Sequence, residues 1–479
     1  MPATTAPPAA QQRALSASES ALAATGTPLI ISHRLHGPLD RAALARAVDD
    51  LTRQHPVLTC RITHQDRDQN QNQDQDQDQG GKEVAYLRHD PRLPAPHLTE
   101  HTDFETATAP FPADAPLFRV TLLTESADRH QVVLAVAHAL SDGTSCLALF
   151  NELWTRYTVH ATSSDPELPS PAAPLPLAVE DHFRARFSAQ DITDFLAELR
   201  TTATTAPAPE RLPAQAATED GPDPGTGSHL RHLHLDPTQT QHFTRTAAEA
   251  RTTPHAVLCG LALLAVRDQL TSQDRAVRDQ LTPQDRAVRD QLTPQDRAVR
   301  LGCLTPVDLR PRMAPALPRD HLVFAAATTE AVLDVHPEDT PVDLGRQVWH
   351  QLRAALTDGR LDRAIAALPQ LMHEIAAAPM SIVVSSLGAR ARTFPLPPGL
   401  TAEPLWGYSP PPGPLPALFS VGTPDGGLTL LLVLPRAWYT PEQAQGLADG
   451  LGHHLRQLVE TPPQTRVPRT PASPGAGAA

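Results

Sequence analysis

The stretch Gln131–Trp154, QVVLAVAHALSDGTSCLALFNELW, decides how the rest of the chain is read. Gln131 to Ala137 carries no charge, and a run this short and apolar predicts a central strand buried on both faces. The strand stops at His138. Asp142 and Gly143 follow, and Leu147, Phe150, Trp154 and Tyr157 then recur at three-to-four-residue spacing, which predicts a helix beginning near Thr144. An imidazole at the end of a rigid strand, just before a turn opens it to substrate, stands where a general base is needed. The same residues also have a plain structural reading, with Asp142 an N-cap and Gly143 a turn residue.

Outward from this stretch, the 479 residues are enough for two core-bearing units, since single cores stop growing at about 250–300 residues. The 51 prolines and low aromatic content predict many loops. A formal charge of −13 argues against a nucleic-acid surface. No apolar run reaches the length of a membrane span and MPATTAPPAAQQR lacks the regions of a signal peptide, so a cytoplasmic protein is expected. Cys60, Cys146, Cys259 and Cys303 are far apart, mostly in apolar runs, and read as small core residues.

In the first half, a disordered lead (1–12) precedes a strand at Leu29–Leu35 and a helix capped by Asp40, with Leu44, Ala47, Val48 and Leu51 on one face. His55-Pro56 ends that helix and Val57–Ile62 returns as a strand. The Gln/Asp/Asn tract at 65–79 has nothing to bury and reads as an overgrown hairpin loop without a catalytic role. Leu117–Thr124 pairs with Gln131–Ala137, and helical pieces cover Val179–Phe187 and Ala189–Arg200. Residues 13–200 form one unit. The Pro-, Gly- and Thr-rich stretch 201–228 is the clearest boundary, a linker to a second unit at 229–460.

The second unit opens with the strand HLRHLHL, in which His232 and His234 share a face but lack a third metal ligand at a recognisable spacing. Helices follow at Pro237–Ala250 and after Thr253-Pro254. An eleven-residue tandem repeat, AVRDQLTSQDR and its copies, fills 265–300; Pro283 and Pro294 interrupt it, and it reads as a surface insert. Arg300–Leu309 is a strand, Val332–Ala355 and Leu361–Ala378 are helical regions, and MSIVVSSL at Met380–Leu387 is a β-branched strand. Ala417–Val421 and Leu428–Leu434 form a hairpin, Pro441–Val459 is an amphipathic helix, and 461–479 is a disordered tail. The expected class is α/β with mixed sheets. No serine-hydrolase elbow or phosphate-cradling loop is present.

AHALSDG at the end of a core strand, PVDLRPR at a strand end in the second half, the opening LSASESALAA and the strand SIVVSSLG together resemble the condensation-domain and polyketide-associated acyltransferase superfamily. Its fold is that of chloramphenicol acetyltransferase. Within it, the sequence is most similar to the phthiocerol/phthiodiolone dimycocerosyl transferase-like branch. The resemblance implies two chloramphenicol acetyltransferase-like subdomains in a V, with a tunnel at their interface. It further implies a monomer and no cofactor beyond an acyl-CoA or acyl carrier protein thioester as co-substrate, the acyl acceptor being a small-molecule or lipid alcohol.

On that resemblance His138 takes the proton from the acceptor hydroxyl, Asp142 is architectural and pairs with Arg310, and Gly143 brings its backbone close to the acyl group. Ser385 and Ser386 stand where the family commonly has Ser-Asn-Leu-Gly on a channel-lining strand, with Ser in place of Asn. Ala137 stands where another His is common. The alternatives are a free-standing amide-forming condensation enzyme and a non-catalytic carrier-docking module of the same fold. Carrier use by so acidic a chain would need a basic patch, for which Arg310, Arg312, Arg319, Arg390 and Arg392 are the candidates.

Overall fold

A computed structural model describes residues 11–65, 84–89, 94–112, 115–163, 175–203, 207–214, 227–279, 297–375, 380–388 and 394–460. Two large sheets dominate. In the first, the strands run in the order Thr401–Ala402, Pro28–His36, Arg129–Ala137, Phe118–Ser126 and Leu98–His101, and Trp406–Tyr408 also pairs with Pro28–His36. The Arg129–Ala137 strand has a neighbour on either edge and is buried from His130 onward, as its apolar sequence requires. Helices Arg41–Gln54 and Gly143–Thr162 contribute Leu44, Val48, Leu51, Phe150, Leu153 and Trp154 to the same core.

The second sheet has the order Ala326–Val335, Val299–Asp308, Ile382–Ser386, Ala417–Gly422, Leu428–Pro435 and Ser228–Leu235. Ile382–Ser386 is parallel to both of its neighbours and the other pairs are antiparallel. Successive side chains on these strands face opposite ways. Ile382, Val384, Leu418, Leu430 and Leu432 pack into a core with helices Pro254–Asp279, Pro341–Thr357 and Pro441–Glu460. Val421, Leu431 and Val433 point the other way, into the core of the first sheet. The sheets therefore meet across a shared apolar face.

Several sequence expectations change. Residues 332–335 end a strand, Ala326–Val335, rather than begin a helix; burial alternates along it, and the helix starts at Pro341 after the Thr340 cap. Gln11–Ala14, in part assigned to the disordered lead, pairs with Val84–His89. Arg61–Gln65 pairs with the other edge of Val84–His89, so the polar tract does join hairpin strands; residues 66–79 themselves lie outside the described residues.

The first repeat unit is not an insert on the surface. It continues the Pro254–Asp279 helix, whose Ala265 and Val266 are core residues; residues 280–296 lie outside the described residues. Within 201–228, Ala189–Ala203 finishes a helix and 207–214 runs along the second sheet, where Glu210 donates its N–H to the Arg300 carbonyl at 2.8 Å and Leu212 is buried. Thr401–Ala402 and Trp406–Tyr408 belong by position to the second half yet extend the first sheet. All four cysteines are buried and free. Among the described residues no helix is long and apolar enough to cross a membrane.

Candidate active site

His138 leaves the central strand where its backbone N–H reaches the Thr27 carbonyl at 3.0 Å. Its Nδ1 lies 2.9 Å from the Ser141 carbonyl. A carbonyl can only accept, so Nδ1 carries the proton and Nε2 keeps its lone pair. Phe324 meets the ring edge-on at 5.6 Å. Burial lowers the His138 pKa from its ordinary 6.5, and the Ser141 contact and Asp142 only partly oppose this. The imidazole is thus held neutral, in one tautomer, with its basic nitrogen free.

Asp142 begins the next helix and does two things at once. Its Oδ1 accepts from the Ser145 N–H at 3.0 Å, completing a capping box, while Oδ2 accepts from Arg310 Nη1 at 2.7 Å and the Ala325 N–H at 2.9 Å. Arg310 is 1% exposed. It also bonds Asp308 at 3.2 Å and the His321 and Val323 carbonyls at 3.3 and 3.1 Å. Both terminal guanidinium nitrogens are thus occupied and the charge is compensated, while Nε is buried without a partner. Asp142 is at once the N-cap of the helix and the ion-pair partner of Arg310.

Gly143 is the first residue of that helix. A Cβ placed there would lie 2.7 Å from Leu387 Cδ2, so the two lobes touch at a position only glycine fits without movement. The N–H groups of Gly143 and Thr144 open the helix and have no intrahelical acceptor.

His138, Asp142, Gly143, Ser385 and Leu387 line one cavity of about 340 Å³ between the two sheets. Its walls are mostly apolar: Leu29 and Ile30 from the first sheet, Phe419 and Leu431 from the second, and Trp406 and Tyr408 from the crossing segment. Among the described lining residues Asp142 is the single ionic side chain, and Arg310 neutralises it.

Ser386 does not join this group. Strand alternation turns it to the helix-covered face, where it accepts from the Gly388 N–H at 3.2 Å and borders a separate cavity of about 170 Å³ with His255 and Ser420. The three candidate arginines among the described residues form no common patch. Arg310 is interior, Arg312 is bound to Asp362 at 2.8 Å and to the Leu356 carbonyl at 3.1 Å, Arg319 is exposed, and Arg390 and Arg392 lie outside the described residues. Among the described residues no three His, Cys, Asp or Glu side chains cluster to hold a metal, and His232 packs against Trp406 instead, with ring centroids 5.1 Å apart.

Sequence reasoning missed Ser141, Ala325 and Val323, because each acts through its backbone. It also missed Trp406, which lies in a short strand without periodicity.

Comparison with known proteins follows the same outline. The fold matches polyketide synthase associated protein 5 from Mycobacterium tuberculosis with a TM-score of 0.67 and 22% identity, over 94% of this chain and 98% of that one. It also matches the first condensation domain of the calcium-dependent antibiotic synthetase in complex with a substrate analogue, with a TM-score of 0.65 and 18% identity over 94% and 97%. SgcC5 from Streptomyces globisporus gives 0.59 and 14% over 94% and 99%. No curated protein sequence matches the chain. Residues 285–417 match the phthiocerol/phthiodiolone dimycocerosyl transferase C-terminus, and residues 5–278, more than half of the chain, match the condensation domain. The chain belongs to the condensation-domain family.

Proposed function

We propose that this protein is an O-acyltransferase that moves an acyl group from a thioester of coenzyme A or of an acyl carrier protein to an alcohol. The observation that carries this reading is the His138 imidazole, pinned through Nδ1 to the Ser141 carbonyl at the head of an apolar cavity. In the reaction, Nε2 takes the hydroxyl proton of the acceptor as its oxygen attacks the thioester carbonyl carbon. A C–O bond forms and the C–S bond breaks. The imidazolium returns the proton to the departing thiolate, so the products are an ester and a free thiol. The helix that opens at Gly143 turns its positive end toward the developing oxyanion. Asp142 and Arg310 hold the turn that carries His138.

The cavity chemistry favours an alcohol over an amino-acid acceptor. An aminoacyl group brings a charge or strong polar groups that need partners once desolvated, and the lining offers hydroxyls, one neutral imidazole and a carboxylate, Asp142, already paired with Arg310. The site would need no cofactor besides the thioester substrate.

The test is thiol release and product mass with a panel of acyl-CoA donors and a long-chain alcohol, for the wild type and His138→Ala. Ester formation by the wild type that is lost in the variant is the expected result. Amide formation with an amine acceptor, or no thiol release from either acyl-CoA or loaded carrier protein, would overturn it.

A further inference from the structure

The cavity has a definite far end. His138 stands beside Thr27, and the Pro28–His36 strand leads away from it. Trp406 pairs with Ser32 on that strand, and Tyr408 pairs with Ile30. Paired residues share a face, so Trp406 and Tyr408 point into the gap between the sheets, and their rings stack at 6.2 Å. Trp406 also spans the gap. Its ring meets Phe104 of the first lobe at 5.4 Å and His232 of the second at 5.1 Å. His232 is exposed and Trp406 part-buried, so the indole lies at the rim of the cavity on this side.

We infer that the space between His138 and Trp406 is a sleeve for one unsubstituted hydrocarbon chain, and that Trp406 sets the longest chain it accepts. This rests on the acyl-transfer reading for the chemistry at its head, but the geometry stands by itself. From Thr27 to Ser32 the strand advances five residues, which is about 16 Å at roughly 3.3 Å per residue. An extended hydrocarbon with C–C bonds near 1.5 Å advances about 1.25 Å per carbon, so the sleeve holds on the order of twelve carbons. The walls suit such a chain, with Ile30, Tyr408, Phe419 and Leu431 presenting apolar surface and no free charge. Trp406 is a specificity-determining residue and takes no part in proton transfer.

An acyl donor and an alcohol acceptor could each supply the chain. The experiment therefore varies one at a time with the full-length protein. Primary alcohols from four to sixteen carbons are bound to the wild type, Trp406→Ala and Trp406→Phe and followed calorimetrically. Acyl-CoA donors over the same range are assayed by thiol release with the alcohol held short. In the wild type, affinity or kcat/KM should rise about fourfold per methylene, the equivalent of about 0.8 kcal/mol, and then fall once the chain passes roughly twelve carbons. Trp406→Ala should keep rising and favour the sixteen-carbon chain at least tenfold over the wild type, while Trp406→Phe keeps the wild-type limit. The arm that shows the limit identifies which substrate fills the sleeve.

Absence of thiol release with every donor would count against acyl transfer, and the alcohol-binding arm would still read the sleeve. A length profile identical in wild type and Trp406→Ala, with both variants melting as folded proteins, would overturn the proposal.

Discussion

Arg310 and Asp142, 168 residues apart in sequence, are joined by a 2.7 Å ion pair that ties the second sheet to the turn carrying His138. Both partners are buried, and apart from Asp142 the Arg310 guanidinium reaches three acceptors, on Asp308, His321 and Val323. Removing one partner leaves a buried group without its main counter-ion, since the other carboxylate at Arg310, Asp308, is longer at 3.2 Å and part-exposed. Arg310→Ala and Asp142→Asn should each lose about 3–5 kcal/mol of stability in urea unfolding, as well as turnover. Either variant retaining wild-type stability while losing all turnover would show that the pair acts in the chemistry rather than in the architecture.

His138→Ala should leave the fold intact and abolish ester formation, because the ring makes one hydrogen bond and otherwise borders the cavity. The pH profile of kcat/KM carries the sign. Burial lowers the His138 pKa, so the base stays deprotonated to below pH 6.5; the rate should fall on the acid side along an inflection below 6.5 and be flat above it. An inflection above 6.5 would contradict the desolvated, neutral ring.

Gly143→Ala places a methyl against Leu387. Leu387 meets it with the end of its side chain, so the cost should be about 1–3 kcal/mol of stability, with turnover reduced at least tenfold as the sheets are pushed apart at the cavity head. Leu387→Ala in the same chain should restore part of both. A double-mutant cycle in which the two changes are additive would rule out the contact as the cause.

His33 is set in an aromatic cluster with Phe150, Trp154 and Phe394, and neither ring nitrogen finds a hydrogen-bond partner. Burial lowers its pKa to about 4, partly offset by nearby Glu403. The folded chain therefore binds this proton less readily than the unfolded chain does. Stability is full above pH 6.5 and declines between 6.5 and 4, by at most about 3 kcal/mol from this residue. His255, lowered to about 4 in the same way, shares the window. His33→Phe should flatten roughly half of the acid-side loss in melting temperature. An unchanged pH slope would mean that the ring is solvated.

The motif strand, its helix, the Asp40 cap and the closing hairpin were legible because each is a local pattern: an apolar run, a 3.6-residue stripe, a capping side chain, a turn. The pairing of Asp142 with Arg310 was legible through family resemblance alone. Other features were not legible, for physical reasons. Ala326–Val335 alternates weakly and contains residues common in helices. Ser141 acts through a carbonyl, which every residue has. Ser385 and Ser386 differ only in which face of the strand they occupy, and that depends on a register visible only once the sheet is assembled. The first repeat unit looked like its later copies, yet its Ala265 and Val266 fall on the buried face of a helix already under way.

The segment Thr401–Tyr408 leaves the second lobe, lies along the Pro28–His36 strand and returns. Its consequence is for how the molecule could be divided. A fragment ending at the sequence boundary near residue 228 would keep the whole catalytic motif but would bare the backbone edge of Pro28–His36, together with the apolar face that Leu405 and Tyr408 cover. An open strand edge of that kind pairs with other chains. The lobes are interlaced rather than hinged modules, so swapping one of them between relatives requires residues 401–408 to travel with the first.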